Sequence, residues 1–292
     1  MTFTEGGSFE GGRVRTRRGG RGAAIGGGVG GIVVLLGALL FNVDLSGIVG
    51  GLDGGAGAGQ TEGSIGDCTA EQANTTRECR LSAASQSLDA YWATALPAAG
   101  TEYVQPGVES FEGGTVTACG DATSATGPFY CPPDQTVYLD LGFYDDLQSR
   151  FGASGGSLAE MYVLAHEFGH HLQQLTGVMD SADRTGTGPD SDSVRVELMA
   201  DCLAGMWTGH ASSFVDPDTG VTFLEPITEA ELADALSAAS AVGDDRIQQS
   251  ATGTVNPEAW THGSSEQRQR WFSLGYGGAS FQDCNALEAG AL

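Results

Sequence analysis

The stretch Leu164-Ala165-His166-Glu167-Phe168-Gly169-His170-His171-Leu172 lies within an apolar pattern set by Leu158, Met161, Tyr162, Leu164, Ala165, Phe168, Leu172 and Leu175. Apolar residues recurring every three to four positions predict an amphipathic helix, here over 157–175. His166 and His170 are four apart and share one face of that helix, so their rings can converge on a single metal ion. Zn²⁺ suits imidazole nitrogen, and a water bound to it has its pKa lowered to about 7, which makes it a usable nucleophile at neutral pH. Glu167 then stands where a general base for that water is needed. Gly169 costs roughly 1 kcal/mol relative to Ala inside a helix, which suggests that a neighbouring backbone or a substrate passes close to it.

A catalytic zinc site needs a third protein ligand and an open position. The extended HExxHxxGxxH pattern is excluded, because Gln173 and Thr176 stand where it requires Gly and His. The better candidate is Glu197, in Val196-Glu197-Leu198-Met199-Ala200-Asp201-Cys202, where Glu197 and Asp201 are again one helical turn apart. Two such acids are usually a solvated stripe, but Leu198, Met199, Leu203 and Met206 make this helix apolar. Glu197 is therefore expected as the metal ligand, and Asp201 as the carboxylate that accepts a hydrogen bond from the far nitrogen of a liganding histidine. His262 precedes a helix that Ser264 or Ser265 caps; it is either a donor to a developing oxyanion or a structural histidine. Arg268 serves the same oxyanion or neutralises buried acids. His171 points about 100° away from His170 on the helix, and His210 sits near a helix end, so both are read as structural. The expected site thus has His166, His170 and Glu197 on one Zn²⁺ per chain, Glu167 and His262 as catalytic groups, and Asp201 behind the metal.

Outward from the motif, helical patterns fall at 81–96, 143–151, 193–210, 228–241 and 264–274, while 102–141 carries Gly and Pro breaks around short β-prone runs. The fold class is α+β and helix-rich, with a small sheet stapled by cysteines. Gly, Pro, Asp and Ser mark 177–192 as the loop between the two chemistry-bearing helices.

The N-terminal part reads differently. Arg13, Arg15, Arg17, Arg18 and Arg21 precede an uncharged run from Gly22 to Val43. At about 1.5 Å per residue that run reaches roughly 33 Å, enough for one membrane crossing, whereas a secretory cleavage site should follow the apolar run more closely than Ala56-Gly57-Ala58 does. The expected division is a cytoplasmic basic tail at 1–21, a transmembrane helix at 22–43, a Gly-rich linker at 44–66 and an extracytoplasmic domain at 67–292. The arginine flank puts the N-terminus inside. Beyond the run there are 8 Arg against 35 acids and the chain has no Lys, an acidity that excludes nucleic acid as a partner. All six cysteines lie beyond the run as well, an even number suited to an oxidising compartment. Fifteen connectivities are possible; proximity favours Cys68–Cys79 and Cys119–Cys131, which leaves Cys202 for Cys284. Oligomeric state is not legible.

At HEFGHH, ELMADC and THGSSEQR the sequence resembles a bacterial family of neutral zinc metallopeptidases anchored by one N-terminal span. The likeness runs from about Cys119 to Cys284 and includes GPFYCPPDQTVYLDLGFYDDL (127–147), GDDRIQ (243–248) and RWF (270–272). It implies a zincin-like fold with His166, His170 and Glu197 as ligands, Glu167 as base and protein or peptide as substrate. By the same analogy the strand at Thr136–Asp140 is expected as a sheet edge that binds an extended peptide. Two other functions are carried alongside: an inactive anchored scaffold that keeps zinc for stability, and a cell-wall amide hydrolase.

Overall fold

The computed structural model describes residues 3–18 and 61–292. In chain order the elements are β1 (Ser8–Phe9), β2 (Arg15–Arg18), β3 (Thr61–Ser64), β4 (Cys68–Thr69), α1 (Ala70–Thr75), α2 (Arg77–Ala98), β5 (Gly107–Glu112), β6 (Gly114–Thr117), β7 (Gly120–Thr123), β8 (Phe129–Cys131) and β9 (Thr136–Asp140). The rest is helical: α3 (Phe143–Ser149), α4 (Ser157–Leu175), α5 (Val178–Ser181), α6 (Asp192–His210), α7 (Glu229–Ala241), α8 (Asp244–Thr252) and α9 (Ser265–Tyr276). The expected helix-rich α+β class holds, and α4 has the limits that its apolar period implies.

The principal sheet has the order β3-β2-β5-β9-β8, parallel at β2–β5 and β5–β9 and antiparallel at its two ends. Two expectations are corrected here. The strand Thr136–Asp140 is β9, paired on both sides, so it is not an edge; the edge on that side is β8. Residues 3–18, expected as part of a tail separate from the domain, are built into it. β2 pairs with β3 and β5, Phe3, Phe9 and Val14 are buried in the main core, and the Arg13 guanidinium grips the buried Asp89 through Nε (2.5 Å) and Nη2 (3.1 Å). Among the described residues, the arginines that read as a membrane flank are matched to acids of the domain: Arg17 lies 3.1 Å from Glu109 and Arg18 3.3 Å from Glu112. Thr61–Ser64, expected as linker, is the strand that covers the outer side of β2. The expected span at 22–43 lies outside the described residues, among which no helix is long and apolar enough to cross a membrane.

The helical layer is drawn together by glycines. A Cβ on Gly169 of α4 would fall 2.9 Å from the Ala200 Cα of α6, which accounts for the glycine inside the motif helix. Between α6 and α9 the approach is closer still: a Cβ on Gly275 would meet the Cys202 carbonyl oxygen at 1.9 Å, and one on Gly205 the Phe272 oxygen at 2.1 Å. Packing backbone against backbone requires residues without side chains. Caps set the helix starts: the Ser191 side chain accepts from Val194 N–H at α6, while Thr228 with Glu231 and Ser264 with Gln267 form capping boxes at α7 and α9. The three disulfides are Cys68–Cys79, Cys119–Cys131 and Cys202–Cys284, the last tying α6 to the C-terminal turns.

Candidate metal centre

α4 and α6 cross at Gly169 and Ala200, and this contact carries Glu197 of α6 to the histidine face of α4. His166 Nε2 lies 3.1 Å from Glu197 Oε2 and His170 Nε2 lies 3.5 Å from Glu197 Oε1. One ligand atom from each of the three residues falls within 4.8 Å of the others, and all three residues are buried. Both imidazoles turn the same way. His166 Nδ1 donates to Asp201 Oδ1 at 2.8 Å and His170 Nδ1 donates to Gln173 Oε1 at 2.9 Å, which leaves both Nε2 atoms toward Glu197. A hydrogen bond at the far nitrogen fixes tautomer and ring orientation in metal-binding histidines.

The residues fit a cation. Three buried atoms at this spot, His170 Nε2, Glu197 Oε1 and Glu167 Oε2, have no hydrogen-bond partner in the structure. Leaving such atoms unmatched is costly, and a bound divalent ion with its water would satisfy them. Two imidazole nitrogens and one carboxylate are the donor set zinc takes in hydrolytic sites.

Electrostatics follow from the same contacts. Burial opposes charge on His166, yet the Asp201 carboxylate with Glu197 raises its pKa to about 9. Burial lowers His170 to about 4, keeping it neutral and able to bind metal. The Glu197 carboxylate, despite its burial, is held well below its ordinary range by His170, His262 and His166. Burial pushes the Glu167 carboxyl up to about 7, helped by repulsion from Glu197 and opposed by His166 and the Tyr130 N–H.

Asp201 is the anchor of a buried network. Arg268 of α9 holds it through Nε on Oδ2 (2.8 Å) and Nη2 on Oδ1 (3.0 Å), and the Tyr162 hydroxyl donates to Oδ1 at 2.5 Å. Arg268 therefore neutralises a buried acid, the second of its two expected roles. His262 is brought to the same cleft, a hollow of about 60 Å³ lined by Pro128, Tyr162, Val163, Glu167, Glu197 and Arg268 among others. His171 is spent on structure: its Nδ1 meets the Tyr130 hydroxyl at 2.9 Å and its Nε2 the Val104 carbonyl at 2.6 Å. His210 bonds the Met206 carbonyl and stacks on Tyr91. Sequence reasoning missed Gln173 and Tyr162, although both have a signal: Gln173 is three residues after His170 and Tyr162 four before His166, on the same helix face. A larger hollow of about 470 Å³, between the ends of α3 and α7 and along α8, contains none of these groups, so the unmatched donor set and not cavity size marks the site.

The family described as "Putative neutral zinc metallopeptidase" matches residues 4–287. The uncharacterized protein Rv2575 of Mycobacterium tuberculosis is 47% identical over 224 residues, covering 77% of this chain and 75% of that protein. The uncharacterized protein YpfJ of Escherichia coli K12 is 38% identical over 277 residues, covering 92% of this chain and 90% of that protein. No solved structure matches. With a match that starts in the N-terminal strand segment and ends beyond Cys284, the chain belongs to the neutral zinc metallopeptidase family.

Proposed function

We propose that the protein hydrolyses peptide bonds in proteins or peptides outside the cytoplasm, with His166, His170 and Glu197 holding one Zn²⁺. The observation that carries this reading is Glu167: a buried carboxylate with one unmatched oxygen beside the ligand set, which a purely structural metal site would not need. Bound zinc would supply a Lewis acid that polarises the scissile carbonyl and acidifies water.

The chain's own groups do the rest. Glu167, poised near neutrality by burial, takes a proton from the attacking water and passes it to the leaving nitrogen as the C–N bond breaks. His262, in the same cleft, donates to the carbonyl oxygen as it gains charge; a donor placed in this way is worth about 2.7–4 kcal/mol in the transition state. Asp201, locked by Arg268 and Tyr162, keeps the His166 ring oriented. β8 is the edge strand beside the cleft, with Pro128 lining it and the Tyr130 N–H on Glu167, so an extended peptide would add to that edge. Three disulfides support an oxidising compartment as the place of action.

The test compares the full-length chain with Glu167→Gln and Glu197→Gln on a quenched fluorescent peptide library, with zinc content measured in each. Glu167→Gln should retain zinc and lose cleavage by at least about a hundredfold, while Glu197→Gln should lose zinc. Cleavage by Glu167→Gln at the wild-type rate would remove the peptidase reading.

A further inference from the structure

Two segments far apart in sequence form one unit behind His262. Asp244, at the start of α8, is 2% exposed, and its Oδ2 accepts the backbone N–H groups of Thr261 (2.8 Å), His262 (2.7 Å) and Gly263 (3.0 Å). Its Oδ1 lies 3.5 Å from His262 Nδ1, and its own N–H donates to the Gly263 carbonyl at 2.9 Å. The next residue repeats the grip, since Asp245 accepts both the N–H and the hydroxyl of Ser265 at 2.7 Å. Gly243 lets the two segments touch, because a Cβ there would come within 2.5 Å of Ser265 N. The Thr261 hydroxyl stands 2.9 Å from His262 Nδ1, so Asp244 and Thr261 engage one side of the ring while the residue lines the cleft.

We propose that Asp244 is a positioning residue of the reaction, fixing the 261–263 turn and the His262 ring so that Nε2 serves the carbonyl oxygen of the substrate. This rests on the peptidase reading above. The experiment uses the full-length zinc-loaded chain, the best-cleaved peptide of the library, and a phosphinic peptide of the same sequence as a tetrahedral mimic. Asp244→Asn and His262→Ala should each lower kcat about tenfold to a hundredfold with KM within threefold, and weaken the mimic in parallel. The double variant should be no slower than His262→Ala, because both substitutions remove one function. Should Asp244→Asn not fold, Asp244→Glu, which keeps the charge but displaces it, reads the same dependence. Wild-type kcat and mimic affinity in the Asp244 variants, or penalties that multiply in the double variant, would overturn the assignment. Retained activity in Glu167→Gln would instead strike at the peptidase reading.

An independent observation concerns the membrane. β2 hydrogen-bonds to β3 and β5 within one sheet, and the N–H of Phe3 donates to Asn74 Oδ1 at 2.7 Å. Segments of one sheet share one compartment. We infer that residues 3–18 lie on the same side of the membrane as the catalytic domain, in place of the expectation of a cytoplasmic N-terminus opposite an external domain. The test places a single cysteine at exposed Glu10 or at exposed Glu102 in the full chain and treats intact cells with a membrane-impermeant maleimide. Both sites are expected to label together, in intact cells or only after permeabilisation, and labelling of one site under a condition that leaves the other unlabelled would overturn the inference.

Discussion

Gly169→Ala separates local preference from tertiary packing at the point that assembles the site. By helix propensity alone the substitution should stabilise α4 by about 1 kcal/mol. The new Cβ, however, would lie 2.9 Å from the Ala200 Cα and 3.1 Å from its Cβ and carbonyl oxygen. Relief to an ordinary contact near 3.4 Å moves α6 away by about half an ångström, because the obstacle is backbone. Overpacking of this kind costs roughly 1–3 kcal/mol, so the net loss is up to about 2 kcal/mol, or a fall in Tm of up to roughly 8 °C in the zinc-free protein. The larger effect falls on metal. Glu197 is one turn from Ala200, and ligand distances tolerate only about 0.2 Å of error. Zinc affinity, measured by competition with a chromophoric chelator, should weaken by at least about tenfold. A Gly169→Ala protein with a raised Tm and wild-type zinc affinity would refute the argument that this contact sets the ligand geometry.

Other expectations follow from the buried charges. Arg268→Ala leaves the buried Asp201 without its guanidinium partner and should cost about 3–5 kcal/mol in urea denaturation of the zinc-free chain, with a smaller further loss when Asp201→Asn is added. Asp244 gives an acid limit. Burial would raise its pKa, but His262 and the backbone N–H groups of Thr261 and His262 hold it below 3.8, so its stabilisation is present above that value and is lost as pH falls through the folded-state pKa. The stability of Asp244→Asn should therefore be lower than wild type at neutral pH, and the gap should narrow below about pH 3.8, measured by thermal unfolding against pH.

The helices that carry the site were legible because each announces itself locally: an apolar period for α4, paired acids on an apolar helix for α6, a serine cap for α9. Even the odd glycine at 169 pointed to a close neighbour. Helix α8 was not read at all, because Asp244-Asp245-Arg246 is polar and its first carboxylate is committed to a distant turn rather than to its own helix. The N-terminal segment was misread for a related reason. Arg13, Arg15, Arg17 and Arg18 look like a membrane flank when the acids that match them, Asp89, Glu62, Glu109 and Glu112, are far away in the chain. Strand order has the same character, since nothing local to Thr136–Asp140 states that β8 will cover its far side.

The parallel pairing of β2 with β5 also sets a timetable for synthesis. Arg15 and Thr16 are made well before their partners Glu109 and Ser110 and the β9 strand beyond them. Until then β2 has an open edge where β5 will pair, and the buried Phe3, Phe9 and Val14 lack the core that encloses them. Non-local parallel pairing of this kind is slow to form. The nascent chain must therefore keep one edge of β2 unpaired until β5 has followed it, although β3 can cover the other edge sooner.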